Sequence, residues 1–241
     1  MLLFFKTTNS TAQDFSLNLI TEIIGIFLTV FFIDFVLRRK EEKEKKKLLS
    51  NIYAQYLISA KRLLDFFAVA YKASTLNKPS EWDTDFKTLF SNPEFYSSLK
   101  HLDFLKNAPI APTANWLNYS RSQMILISDG FEKLIDKYAF IMDSKTISDL
   151  DYLSNYWVID IIKSGQHLKN IDESLNLKRD SFCLLNIESD NNDNDIKILI
   201  DKVFEVAEYF RSITDDNSNI HYSSDLWRND IMPKIGDSRE D

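Results

Sequence analysis

One cysteine, four glycines and five prolines among 241 residues make this chain poor in the residues that staple or turn a backbone. A lone Cys183 cannot close an internal disulfide, so nothing points to a folded part matured in an oxidising compartment. Scarce glycine and proline leave little material for the tight turns that a many-stranded sheet or barrel demands, and the composition favours helices. The three histidines, His101, His167 and His221, are scattered, with no second histidine or cysteine pair at ligand spacing, so no zinc site is expected.

Other chemistries are short of parts as well. There is no glycine-rich phosphate loop and no nucleophile-elbow pattern, and no histidine stands at nuclease spacing from an arginine. Asp190, Asn192, Asn194 and Asp201 faintly follow a calcium loop, but Asp195 occupies the position that requires glycine. Carboxylate pairs such as Asp83 with Asp85 and Asp149 with Asp151 stand two residues apart, which on a helix points them to different faces. No catalytic residue, cofactor or metal is therefore expected. Nor is a nucleic-acid partner, because basic residues cluster in one run without interleaved aromatics.

What the chain does hold is apolar. With 44% hydrophobic residues and a net charge of −7 it can bury a core, and its length fits one domain plus an anchor. From Phe15 to Leu37 it reads FSLNLITEIIGIFLTVFFIDFVL, about 23 residues or roughly 34 Å of helix, enough to cross a hydrocarbon core. Leu, Ile, Val and Phe each favour insertion by about 0.3 to 0.6 kcal/mol, whereas an acid costs up to about 3 kcal/mol at the centre. Glu22 and Asp34 both lie about six residues from the midpoint, within reach of headgroups, so the balance favours insertion.

The flanks set the orientation. Only Lys6 and the amino terminus are positive before the segment, whereas Arg38, Arg39, Lys40, Lys43, Lys45, Lys46 and Lys47 follow it, which puts the C-terminal side in the cytoplasm. The start MLLFFK lacks the basic region of a secretory signal, and no small-residue cleavage site precedes the charge run. The expected division is an extracytoplasmic tail at 1–14, a transmembrane helix at 15–37, a charged juxtamembrane helix at 38–47, a cytoplasmic helical domain at 48–232 and a polar tail at 233–241.

Two features of the anchor invite contacts. Asn18, Glu22, Gly25 and Thr29 fall on one stripe, a pattern that lets transmembrane helices approach and hydrogen-bond, so these four are the candidate helix–helix contact of a homo-oligomer, or of a conducting path. The alternative is that Glu22 snorkels and Asp34 pairs with Arg38 one turn on. Arg38, Arg39, Lys40 and Lys43 are candidate contacts to anionic lipid, although such a run also simply stops transfer.

Beyond the charges, Leu49, Ile52, Tyr56, Leu63, Phe66 and Ala70, widened by Leu57, Leu64, Phe67 and Tyr71, make the stripe of a bundle helix. No proline interrupts 15–73, so one rod of roughly 85 to 90 Å is expected. Asn92 before Pro93 and Glu94 is a helix cap. Leu117, Met124, Ile127, Phe131, Leu134, Tyr138 and Ile141 predict a helix of about 28 residues. After Asp143 and Ser144 a second long helix is expected, with Ile147, Leu150, Trp157, Ile161, Leu168, Ile171 and Leu175 inward and antiparallel to its predecessor. The polar stretch 178–195 precedes a helix carrying Ile196, Leu199, Val203, Val206, Phe210 and Ile213, and a short helix is expected near 225–232. The fold class is thus all-α, with one N-terminal transmembrane helix continuing into a cytoplasmic antiparallel helical bundle.

The run NLITEIIGIFLTVFFIDFVLRRKEEKEKK at 18–46 resembles the N-terminal anchor of a loose group of bacterial single-pass membrane proteins, largely uncharacterised. Their pattern matches Asn18, Thr21, Glu22, Gly25 and Asp34, and a weaker similarity lies at LIDKYAFIMDSKTISDLDYL. The resemblance covers about a third of the chain. It implies an anchor, a bacterial inner-membrane topology and a helical domain, but no activity. The functional expectation is a non-enzymatic interaction or sensing module with an unidentified cytoplasmic protein partner. Its rivals are an oligomeric effector that perturbs the bilayer, for instance in defence against phage, and a membrane-tethered enzyme without a recognisable motif.

Overall fold

The computed structural model of the chain describes residues 10–79, 85–111, 113–178, 180–185, 195–214, 218, 220–228 and 230–240, with side chains from Asp14 onward. Among the described residues it is all-helical, 73% helix, without a strand. The elements are α1 (Ser10–Ser74), α2 (Phe86–Ser91), α3 (Pro93–Leu99), α4 (Trp116–Tyr138), α5 (Ser144–Ser154), α6 (Trp157–Ser174) and α7 (Asp195–Thr214), followed by a 3-10 turn at Ser224–Trp227. The chain divides into two units, Met1–Leu48 and Leu49–Asp241. Asp83 and the calcium-like positions Asp190, Asn192 and Asn194 lie outside the described residues.

In the first unit α1 is solvent-facing all round. Every Leu, Ile, Val and Phe between 15 and 37 is exposed, from 45% at Ile23 to 77% at Phe31.

The second unit owns the core, and its share of α1 runs through it. Ile52, Tyr56, Leu63, Leu64, Phe66, Phe67, Ala70 and Tyr71 are buried, as the stripe predicts, whereas Leu49 and Leu57 of that stripe are half-buried and Tyr53, outside it, is buried. The apolar surface widens until residues 70–75 are buried on every side, the signature of a helix enclosed by its neighbours. Aromatic pairs tie α1 to the other elements: Tyr56 with Phe131 of α4 at 5.8 Å, Tyr53 with Phe210 of α7 at 5.7 Å, and Tyr71 with Phe95 of α3 at 5.0 Å. Tyr56 also donates its hydroxyl to the Val203 carbonyl at 2.6 Å, so the burial of that group leaves no donor unspent. Gly130 lets α4 come close to α1, since a Cβ there would stand 2.2 Å from Ser59 Oγ.

The capping signals hold. Asn92 accepts from the Glu94 amide at 2.9 Å with Pro93 opening α3, and Asn115 accepts from the Asn118 amide at the start of α4. The helix expected to reach Ile141 ends at Tyr138, and Ile141 packs half-buried from the turn that follows. The short helix expected near 225–232 is only the one turn of 3-10 geometry.

The single long helix expected after Asp143 is two. α5 stops at Ser154, and Tyr156 takes an extended backbone before α6 begins. The Ser154 carbonyl accepts the Ser128 hydroxyl of α4 at 2.8 Å, and Asn155 bonds back to Asp151 at 3.0 Å, so the groups freed by the break are satisfied. The break rotates the stripe. Val158, Ile159, Ile162 and Gly165 face inward, whereas Leu168, Ile171 and Leu175, expected inside, are 42%, 41% and 62% exposed. Gly165 sits where a Cβ would meet Leu117 Cδ1 at 2.7 Å, which fixes how closely α6 approaches α4.

Residues 233–240, expected as a polar tail, form part of the second unit. Gly236 and Ser238 donate their amides to the Lys72 and Ala73 carbonyls at 3.1 and 3.0 Å, and Arg239 donates to the Ser74 carbonyl at 2.9 Å. These bonds satisfy carbonyls that the last turn of α1 would otherwise leave without a partner. Ser238 is buried and accepts the Trp116 indole N–H at 2.8 Å. Met232–Pro233, a cis peptide bond, leads into this strap.

Candidate functional site

The first candidate is the exposed part of α1. It is the one helix among the described residues long and apolar enough to cross a membrane, and its most apolar 18-residue window has a mean hydropathy of 2.3 with no buried residue. An exposed apolar surface of this extent marks a site of contact with a membrane or another protein.

Its polar positions differ in how they are satisfied. Thr29 donates its hydroxyl to the Gly25 carbonyl, and Thr21 to the Leu17 carbonyl, each at 2.8 Å, so both hydroxyls are spent within the helix. Asp34 receives Arg38 Nε at 2.9 Å one turn on, and the Arg39 guanidinium lies 4.9 Å from the Phe35 ring centroid. Asn18 and Glu22 have no side-chain partner among the described residues. Gly25 is open on every side, with nothing within 4 Å of a would-be Cβ. Arg38, Arg39, Lys40 and Lys43 are all exposed.

In the second unit, some ion pairs join one helix to another. Lys202 of α7 reaches Asp149 of α5 at 2.7 Å and Glu205 at 3.0 Å, and Lys145 adds a contact to Glu205 at 3.4 Å. Burial alone lowers the Lys202 ammonium, but the hydrogen bonds and charges of Asp149 and Glu205 win and raise it. The network edges an open cleft of about 580 Å³ between α5 and α7, shared with Tyr152 and Asp201. Asp149 is therefore committed to a lysine while Asp151 faces Asn155. The two acids diverge as their spacing predicts.

Asp143 caps α5, accepting the Thr146 amide and hydroxyl at 2.9 Å each and the Tyr209 hydroxyl from α7. Burial pushes its carboxyl up, but these donors outweigh it and hold the group at about 2. Lys72 is fully buried and donates to the carbonyls of Arg228 at 2.8 Å and Ile231 at 2.9 Å. Burial pushes its ammonium down, against the charges of Asp237 and Asp230. The sequence gives one hint of this: Lys72 interrupts the otherwise apolar FFAVAYKAS. Its partners, some 160 residues on, leave no local signal.

The three histidines are exposed on different segments: after α3, on α6 and at 221. No group of three or more metal-ligating side chains converges among the described residues. Cys183 is half-buried, and burial pushes its thiol up. Smaller cavities lie elsewhere on the unit. One of about 280 Å³ has Leu105, Leu177 and Phe182 at its base, and one of about 240 Å³ is lined by Glu94, His101 and Arg239.

No protein-family model matches the chain, and no curated protein or solved structure matches it significantly. The fold and the site together define a helical protein with one candidate membrane-spanning helix near its N-terminus.

Proposed function

We propose that the chain is a single-pass membrane protein whose helical domain serves at the cytoplasmic face as an interaction or sensing module rather than as an enzyme. The observation that carries this reading is the fully exposed apolar helix at 15–37 followed at once by Arg38, Arg39, Lys40 and Lys43, in a chain that from Leu49 onward packs as a separate unit. Positive charge retained on the inner side puts the N-terminus outside. The similarity of residues 18–46 to bacterial anchors favours an inner membrane.

The domain is read as an antiparallel bundle. Tyr56 meets Phe131, and ten residues further along α1 Phe66 meets Trp116, nearer the start of α4, an order that supports opposed helix directions. Ion pairs of Lys202 with Asp149 and of Lys145 with Glu205 tie α7 to α5, as a scaffold that presents surfaces would require.

Asn18 and Glu22, which have no side-chain partner among the described residues, and Gly25, which admits a close backbone, support self-association through this stripe. The same stripe favours the second reading, an oligomeric effector that perturbs the bilayer. Membrane-potential dyes in expressing cells separate the two, because intact polarity at high expression removes the effector.

Alkaline extraction and flotation test the anchor. The protein is expected in the membrane fraction, and Ile26→Lys, at the midpoint of the span, changes insertion by about 3 to 4 kcal/mol and is expected to release it. A wild-type protein that stays in the supernatant ends the reading.

A further inference from the structure

Within the second unit, three segments meet around a cleft of about 240 Å³ at the C-terminal end of α1. Leu76 and Asn77 follow the helix, Glu94 and Ser98 lie on α3, His101 on the turn after it, and Arg239 on the C-terminal strap. Bonds between these segments fix the walls. Arg239 donates to the Ser74 carbonyl at 2.9 Å, and the Glu240 amide donates to the His101 carbonyl at 2.9 Å. Phe95, next to Glu94, packs on Tyr71 of α1 with ring centroids 5.0 Å apart. Tyr71 is fully buried and its hydroxyl has no hydrogen-bond partner, so a further unspent donor stands close to this wall.

The charges of the cleft are not neutralised within the fold. Elsewhere in the unit Lys87 pairs with Glu208, Lys145 with Glu205 and Lys202 with Asp149. Among the described residues the side chains of Asn77, Glu94, Ser98 and His101 make no hydrogen bond or ion pair, and Arg239 spends one guanidinium nitrogen on a carbonyl without meeting a carboxylate. Opposite charges that line one cavity and do not pair form a frame for a molecule carrying both. A purely anionic ligand would be opposed by Glu94, and a purely cationic one by Arg239. Leu76, 65% exposed, adds an apolar surface at the rim. The volume falls below that of sites for drug-sized ligands, which suits a small molecule.

Resting on the sensing reading above, and naming its ligand class, we propose that this cleft binds a small zwitterion of the α-amino acid type. The ammonium sits on Glu94, the carboxylate on Arg239 and the His101 ring N–H, and an apolar side chain on Leu76. The site lies wholly within the second unit.

The test titrates the full chain in detergent micelles with L-leucine and reads saturation transfer to the ligand by NMR. Two half-ligands accompany it: 4-methylpentanoate, which lacks the ammonium, and 3-methylbutylamine, which lacks the carboxylate. Leucine is expected to bind, and each half-ligand about fivefold more weakly. Glu94→Gln, at an exposed position whose side chain holds nothing in the fold, is expected to weaken leucine about fivefold and leave the thermal midpoint unchanged. Glu173→Gln, in the cavity of about 280 Å³, is expected to change nothing. No transfer to leucine overturns the proposal and leaves the sensing reading standing. Equal binding of 4-methylpentanoate overturns it in favour of a simple anion site, and a loss that follows Glu173→Gln overturns it in favour of the other cavity. Leucine that binds through Glu94 but is recovered chemically altered supports the site and sinks the non-enzymatic reading.

Discussion

The hydroxyl of Tyr209, on α7, donates to the carboxylate of Asp143, the residue that caps α5. One acid thereby closes a helix end and joins two helices. Its folded-state carboxyl titrates at about 2 against an ordinary 3.8, so the stabilisation is complete above pH 4 and is lost as pH falls through 2. Because the carboxylate is largely exposed, solvent screening discounts the effect to about 1 kcal/mol. Asp143→Asn keeps the cap and removes the titration. Thermal unfolding between pH 2 and 5 is expected to show a shallower acid loss in this variant, and identical slopes would refute the assignment.

Lys72 holds the chain after the 3-10 turn by two carbonyls and has no carboxylate within ion-pair distance among the described residues. Lys72→Met leaves both acceptors unpaired, at a cost of about 1 to 3 kcal/mol, although losing a buried ammonium offsets part of it. The expected signature is local: faster amide exchange over 228–240 together with a lower denaturant midpoint. Unchanged exchange there would mean that the strap is held by its own backbone bonds.

The phase of α6 gives a third comparison. Leu168→Glu and Ile171→Lys alter exposed positions and are each expected to change stability by no more than about 0.5 kcal/mol. Ile162→Lys places an unpaired charge in the core and is expected to prevent cooperative folding at ambient temperature. Urea midpoints decide. A large loss at Leu168 would restore the stripe expected for one continuous helix.

Self-association of the anchor is checked by oxidative crosslinking in membranes. In a Cys183→Ser background, Gly25→Cys is expected to form disulfide-linked dimers, and Phe27→Cys, about half a turn round the helix, is not. Adding Glu22→Gln tests whether the charge or only the hydrogen bond matters. Equal crosslinking at both positions, or none, rules out a specific face.

Much of the helical layout was legible because its signals are local. The cap at Asn92, the buried positions on α1 from Ile52 to Tyr71, and the stripe from Leu117 to Tyr138 depend on residues within a few turns of one another. Where distant groups decide, the reading failed. The break at Tyr156 carries no proline or glycine, and it holds because Ser128 of α4 takes the Ser154 carbonyl. A period drawn through that break assigns Leu168, Ile171 and Leu175 to the wrong side. The candidate site divides in the same way: the Asp34–Arg38 pair follows from a one-turn spacing, whereas Lys202 with Asp149 joins residues more than fifty apart.

The sequence by itself determined that this protein is helical, that one stretch near its N-terminus is too apolar for water, and which side of that stretch is basic. Those properties are sums over neighbouring residues and need no tertiary partner. Only the tertiary structure decided that Lys72 is buried, that the polar C-terminal stretch closes the end of α1, and that Leu168 of α6 is left exposed. Each depends on groups brought together from far along the chain, and the burial or exposure of a side chain is a property of the neighbours it finds there.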